Sequence, residues 1–78
     1  MPLFYFHLLG NDPNIYDDIG LDLADADAAR HVAYETAMAI IEEAKQAGRP
    51  IGKSYIEICD EKNDVVDVVS LRSVAKFV

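Results

Sequence analysis

The side chains best suited to chemistry in this sequence are a histidine near its start and a run of aspartates behind it. His7 precedes six aspartates that fall within sixteen residues, Asp12, Asp17, Asp18, Asp22, Asp25 and Asp27. Clustered carboxylates can hold Ca²⁺ or Mg²⁺, and a histidine beside carboxylates can serve as a general base because its charge changes near neutral pH. One hypothesis is therefore a ligand- or divalent-cation-binding module that uses His7, Asp17, Asp18 and Asp22.

The spacing of the aspartates favours a structural explanation instead. An EF-hand loop that begins at Asp18 needs glycine at its sixth position and glutamate at its twelfth, where this chain has Leu23 and Ala29. Asp25 and Asp27 suit the start of a helix, where carboxylates interact with free N–H groups. The other aspartates suit turns and a solvated surface.

No complete catalytic set accompanies His7. Strand alternation places Phe4 and Phe6 on one face, which we expect to pack under a helix, and His7 with Tyr5 on the other face. The serines of the chain lie in no nucleophile motif, and acidic neighbours favour an inert thiol at Cys59. We therefore predict no catalytic residue, no cofactor and no enzymatic activity, and we leave open whether His7 is functional or packed.

Length and composition predict one small domain that spans residues 1–78. Half of the residues are apolar (51%) and 27% are charged, which is ordinary for a globular chain. A domain of this size has a thin margin of stability, and a partner subunit is one way to extend it. The single cysteine cannot form an internal disulfide, which favours a reducing compartment, and we expect a cytoplasmic protein.

The net charge of −7 argues against two classes of partner. Fourteen acidic residues stand against seven basic ones, whereas nucleic acids and anionic membranes attract lysine and arginine. No apolar run approaches the ~20 residues that span a bilayer. The first residues lack a basic segment and a small-residue cleavage site, so we expect no signal peptide.

The order of predicted elements is ββαββ. An aromatic strand, Leu3–Leu9, runs into turn residues 10–14, and residues 15–17 suit a short returning strand. After a long helix, residues 53–60 alternate as a strand, residues 61–64 form a turn with Asn63 in the left-handed conformation, and residues 65–70 are the partner strand. Residues 71–78 suit either a strand or a short helix. The pattern predicts a two-layer α+β domain in which one long helix covers one face of an antiparallel sheet.

The helix has clear ends and an unusually wide apolar surface. Asp25 is the predicted N-cap, and Gly48 with Pro50 beyond it predicts the end. One stripe is made mostly of small residues that allow close packing on a sheet, Ala29, Ala33, Thr36, Ala37, Ile40, Ala44 and Ala47. Tyr34, Met38 and Ile41 lie on a flank beside it, where they either cover the edge of the sheet or contact a second subunit.

The chain resembles a family of small bacterial proteins, common in rhizobia and their relatives, that consist of a domain of unknown function. The resemblance rests on motifs over nearly the full chain, with matching positions Tyr5, Phe6, His7, Asp17, Gly20, Leu23, Asp25, Ala29 and Arg30. It departs at the second hairpin, where Asn63 and Asp64 stand in place of a glycine turn. It implies a stand-alone ββαββ domain and no catalytic role, and it draws attention to His7.

These observations lead to one main function hypothesis. We expect a non-enzymatic protein–protein interaction or regulatory domain that forms a homodimer through Tyr34, Met38 and Ile41. The alternative is the ligand- or cation-binding module described above.

Overall fold

The computed structural model of this protein describes residues 2–10 and 13–77. Its elements in chain order are β1 Leu3–Leu9, β2 Leu21–Asp22, α1 Ala26–Ala47, β3 Tyr55–Cys59, β4 Val65–Ser70 and α2 Leu71–Ala75. The predicted turn at residues 10–14 includes Asn11 and Asp12, which lie outside the described residues. Neither helix in the described ranges combines the length and the apolar character needed to span a membrane.

The strands form one antiparallel sheet in the order β2-β1-β3-β4. In its centre Phe6 pairs with Ile58 and His7 pairs with Glu57, so the sequence-distant strands β1 and β3 are neighbours. A β-bulge interrupts the pairing of β3 with β4 at Cys59. At the hairpin between those strands, Asn63 has the predicted left-handed conformation with φ 67°. The two-layer α+β architecture is confirmed.

The boundaries of α1 follow from its capping residues. The Asp25 carboxylate accepts a hydrogen bond from the Ala28 N–H group at 2.9 Å, which satisfies one of the free donors of the first turn. At the other end Gly48 takes the left-handed conformation, φ 68°, and its N–H group bonds to the carbonyls of the last turn. Both predicted ends are therefore confirmed.

The core lies between the helices and one face of the sheet. Phe4, Ile56 and Ile58 are buried on the sheet side, and Leu71 and Val74 of α2 extend the helical layer. The alanines of α1 meet them, Ala29, Ala33 and Ala37 being fully buried, because a residue without a long side chain lets the helix lie close to the strands. The phenylalanine face therefore packs under α1 as predicted.

Two details of the prediction need correction, and the structure decides a third that the sequence left open. Residues 15–17 do not form a strand, and Ile15 makes one isolated bridge to Leu8. The strand that pairs with β1 on the side away from β3 is the two-residue β2. Thr36 and Ala47 are exposed rather than part of the buried stripe. Residues 71–75 form a helix, whose N-cap is Ser70, so a second short helix joins α1 in covering the sheet.

Candidate functional site

The free edge of β1 is closed by the chain segment that follows it, residues 15–22. Near one end of the strand, Leu8 and Ile15 exchange two backbone hydrogen bonds of 2.8 and 2.9 Å. Near the other end Phe4 pairs with Leu21 in β2. Between these points the segment leaves the ladder, so the N–H group of Phe6 needs another acceptor.

The Asp17 carboxylate supplies that acceptor. Its Oδ2 atom accepts from the Phe6 N–H group at 3.1 Å, and its Oδ1 atom accepts from the N–H groups of Ile19 and Gly20 at 3.0 Å each. The carboxylate thus takes the place of a strand carbonyl and at the same time holds its own turn. Both oxygens of Asp17 are engaged within the protein.

The hydrogen bonds also change the acidity of Asp17. Partial burial acts to raise the pKa of this carboxyl group, but the N–H donors of Gly20, Phe6 and Ile19, together with the nearby His7, outweigh burial and lower the pKa from 3.8. Each donor stabilises the ionised form. Asp17 is therefore a charged structural group at neutral pH.

His7 holds the same segment from the other side. Its Nδ1 atom accepts a hydrogen bond from the Asp17 N–H group at 3.0 Å, so the neutral ring carries its proton on Nε2. The Tyr16 ring lies against it, with 5.5 Å between ring centroids and 58° between planes. Among the described residues, Nε2 makes no hydrogen bond to the protein. The geometry makes His7 a half-buried packing residue that is paired in the sheet with Glu57 of β3.

Gly20 allows the segment to approach β1 closely. Its φ of +80° lies in the region that favours glycine, and a Cβ atom there would lie 3.0 Å from Tyr5 Cε1 and 3.3 Å from the Phe4 carbonyl oxygen. Tyr5, His7, Asp17 and Gly20 thus form one structural unit, which we call the edge clasp. The sequence placed these residues in one motif without indicating that their common role is to close a strand edge.

The predicted cation site is not assembled. Asp17 already accepts three backbone hydrogen bonds, and Asp18 and Asp22 are exposed. Within residues 2–10 and 13–77, no group of three histidine, cysteine, aspartate or glutamate side chains could hold a metal ion. The geometry does not support the set His7, Asp17, Asp18 and Asp22 as ligands.

Cys59 is unsuited to nucleophilic chemistry. It is buried, and its Sγ atom lies 3.4 Å from Glu57 Oε1. Burial, followed by the hydrogen bond to Glu57 and the charges of nearby carboxylates, raises the pKa of the thiol to about 11. Because the thiolate is the reactive form, the structure agrees with the expectation of an inert thiol.

The three residues predicted for a dimer interface are separated by the structure. Tyr34 and Met38 lie one helical turn apart on α1, and each is 39% exposed. Ile41 is 1% exposed and belongs to the core, so its assignment to the exposed flank was incorrect. The reason is its position on α1, since Ile41 continues at four-residue spacing the buried row of Ala33 and Ala37.

An apolar surface that the sequence did not reveal continues from Tyr34 and Met38 to the free edge of β4. Val68 of β4 is exposed, and Phe77, which follows α2, is 81% exposed. A groove of about 310 Å³ separates Tyr34 from Phe77 and runs along Val68. We call Tyr34, Met38, Val68 and Phe77 the β4-side surface. The sequence did not predict this surface, because it left open whether residues 71–78 form a strand or a helix. The helix at Leu71–Ala75 determines where Phe77 lies.

A second concave region lies over β1. Because α1 packs on β3 and β4, the helix-side residues of β1 border a cleft of about 450 Å³. Its walls are mostly apolar, and Glu43 and Arg49, 3.5 Å apart, stand among its polar residues. The size falls within the range of small-molecule sites.

Comparison with known proteins identifies a family and no relative of known function. Neither a curated protein nor a solved structure is significantly similar to the chain. A family model, described as Domain of unknown function (DUF6894), matches residues 3–72. That range contains the whole edge clasp, the capped helix α1 and the four strands. The chain therefore belongs to the DUF6894 family.

Proposed function

We propose that this protein is a non-enzymatic interaction domain that forms a homodimer through the β4-side surface. The observation that carries the proposal is the exposed apolar groove between Tyr34, Val68 and Phe77. Exposed apolar side chains that line a continuous groove are typical of protein contact sites. In a two-fold dimer the same surface serves both subunits.

The position of the surface supports self-association of a small domain. Tyr34 lies on α1, Phe77 directly follows α2, and Val68 lies on the edge strand β4. Contact there would cover apolar area that one 78-residue chain leaves in water. Aromatic residues at the centre of an interface contribute strongly to binding.

Charge and cysteine content support the rest of the proposal. A net charge of −7 disfavours nucleic acid and anionic membranes as partners and favours another protein. The lone, buried Cys59 suits a reducing compartment, and we propose a cytoplasmic location.

Light scattering over a range of low micromolar concentrations tests the dimer. We expect the wild type to have the mass of a dimer, and Tyr34→Glu or Phe77→Glu to have the mass of a monomer, because a buried unpaired charge opposes association. Ile19→Glu is the matched control: Ile19 is 82% exposed but lies at the opposite edge of the sheet. A wild type that stays monomeric, or a control that dissociates as readily as the two variants, contradicts the proposal.

The cleft over β1 favours a second candidate function, the binding of a small apolar ligand. Ile40 and Ile51 line it together with Phe6 and Leu8. We expect medium-chain alcohols or fatty acids to shift the NMR signals of these residues, and Ala44→Phe, which fills the cleft, to abolish the shifts. Ala39→Phe is the control, because Ala39 is exposed on the same helix and is not a lining residue. Unchanged spectra at saturating probe would exclude these ligand classes.

A further inference from the structure

The backbone of β4 presents hydrogen-bonding groups to solvent. β4 is the last strand of the sheet, and the Leu71 N–H group donates to the Ser54 carbonyl at 3.1 Å. Because successive residues of an antiparallel strand direct these groups to opposite sides, Asp67 and Val69 face β3, whereas Val68 and Ser70 face outward. Val68 is thus the outward residue in the middle of the edge.

The central outward donor is not free. The Val68 N–H group donates to Oδ1 of its neighbour Asp67 at 2.8 Å. The other oxygen of Asp67 accepts from Arg30 Nε at 2.7 Å, and Arg30 Nη1 contacts Asp27 Oδ1 at 2.7 Å. Arg30 therefore ties the carboxylate that covers the strand edge to helix α1.

The sequence of β4 makes a second copy of the same strand a natural partner. Val65 to Val69 reads Val-Val-Asp-Val-Val in both directions, so antiparallel pairing centred on Asp67 sets valine against valine on either side of the two-fold axis. Pairing centred on Asp67 opposes two like charges, which is unfavourable. Pairing centred on Val68 avoids that contact, because it sets Val68 against Val68 and each Asp67 against Val69 of the other copy. Both registers require the Val68 N–H group as a donor to the second copy.

We propose that the edge of β4 is a pairing surface for β4 of a second copy of this chain, and that Asp67, held by Arg30, keeps this edge closed. The carboxylate occupies the Val68 donor and adds a negative charge at the pairing axis. Natural sheets use charged residues at edge strands to prevent such pairing. The inference goes beyond the proposed function, because it concerns the strand backbone and holds whether or not the side chains of the β4-side surface form a dimer.

The test removes the carboxylate and measures association and amide exchange. For Asp67→Ala we expect a self-association constant at least about ten-fold above that of the wild type, with slower hydrogen exchange at the Val68 and Ser70 amides as association proceeds. Circular dichroism reports folding, and Asp67→Val, with its high β propensity, provides the same test if the alanine variant does not fold.

The double variant Asp67→Ala/Val68→Pro is the control. Proline removes the outward donor and leaves the β3–β4 ladder intact, since proline is tolerated where a strand N–H group faces solvent. We expect it to return association to the wild-type level. Equal association of wild type and Asp67→Ala, or strong association of the double variant, overturns the inference. A monomeric wild type that pairs only after Asp67→Ala supports it while contradicting the proposed function.

Discussion

The two edges of the sheet meet the same physical requirement with the same type of side chain. At the β1 edge an aspartate, Asp17, accepts from the outward N–H group of Phe6. At the β4 edge Asp67 accepts from the outward N–H group of Val68. An unpaired strand edge can template pairing with another chain, and in both places a carboxylate occupies a donor in the middle of the edge.

The difference lies in what surrounds each carboxylate. Asp17 is half-buried, accepts three backbone hydrogen bonds and is itself held by His7, so its removal disrupts a folded segment. The Asp67 side chain is 42% exposed, accepts one backbone hydrogen bond and is held by one arginine. A carboxylate that accepts from an outward strand N–H group therefore acts on folding at the β1 edge and on association at the β4 edge. Substitutions at each edge should separate these two roles.

The largest effect on stability is expected at Asp17. Asp17→Ala removes three hydrogen bonds to a charged acceptor and leaves the Phe6 N–H group without a partner, and we expect the free energy of unfolding to fall by about 3 kcal/mol. Urea denaturation followed by circular dichroism measures it. Asp18→Ala is the matched control, since this neighbouring side chain is exposed, and it should change stability by less than about 0.5 kcal/mol. Equal losses of stability in the two variants would contradict the structural role of the Asp17 hydrogen bonds.

A smaller loss is expected at His7. His7→Ala removes the acceptor of the Asp17 N–H group and the contact with Tyr16, and we expect a loss of about 1–2 kcal/mol in the same assay. His31→Ala tests specificity, because His31 is exposed and its contact with Glu35 across one helical turn lies in solvent, where such a contact is worth little. If His7→Ala leaves stability unchanged, packing does not explain His7, and a binding role gains support.

The acid dependence of stability isolates the charge of Asp17. Because the folded pKa lies below 3.8, the ionised carboxylate stabilises the fold above that value, and this contribution is lost as the pH falls through the lowered folded pKa. We expect the stability difference between the wild type and Asp17→Asn to be constant near neutral pH and to shrink below 3.8. The effect is smaller than that of Asp17→Ala, since the amide oxygen still accepts a hydrogen bond. A difference that grows on acidification would contradict the assigned direction.

The smallest effect on stability is expected at Asp67, even though its effect on association is the largest. Asp67→Ala breaks an exposed ion pair, and the free energy of unfolding should change by less than about 1 kcal/mol when measured at a concentration where the variant is monomeric. The lowered pKa of Asp67, caused first by the Arg30 hydrogen bond and then by the Val68 N–H group, shows that the carboxylate is ionised at neutral pH. A large loss of monomer stability would mean that Asp67, like Asp17, stabilises the folded monomer.

Much of the fold was predictable because the signals are local. Asp25 and Gly48 determine the ends of α1 by capping, and both were found by residue type. Alternation in β1 assigned Phe4 to the core and His7 to the opposite face. The returning strand at residues 15–17 was wrong because an Asp17 side chain replaces the strand carbonyl there, and side-chain hydrogen bonds of this kind follow no period.

The candidate sites were less predictable because they depend on distant contacts. The aspartate run looked like a set of ligands, yet Asp17 is engaged by the backbone of β1 and Asp18 points to solvent. Ile41 looked like part of an exposed flank, but it belongs to the core, where it continues the buried row of Ala33 and Ala37 on α1. The β4-side surface required the placement of Phe77, which no local pattern indicates.

The sequence by itself determined the α+β class, the caps of α1, the face of each β1 residue and the acidic surface, since each depends on residue type or on spacing within one element. The tertiary structure alone decided the strand order and the pairing of Asp17 with His7 and of Asp67 with Arg30. These features join residues that are ten or more positions apart. These contacts stabilise the protein only once folding has brought the partners together, and no periodic pattern within one element predicts them.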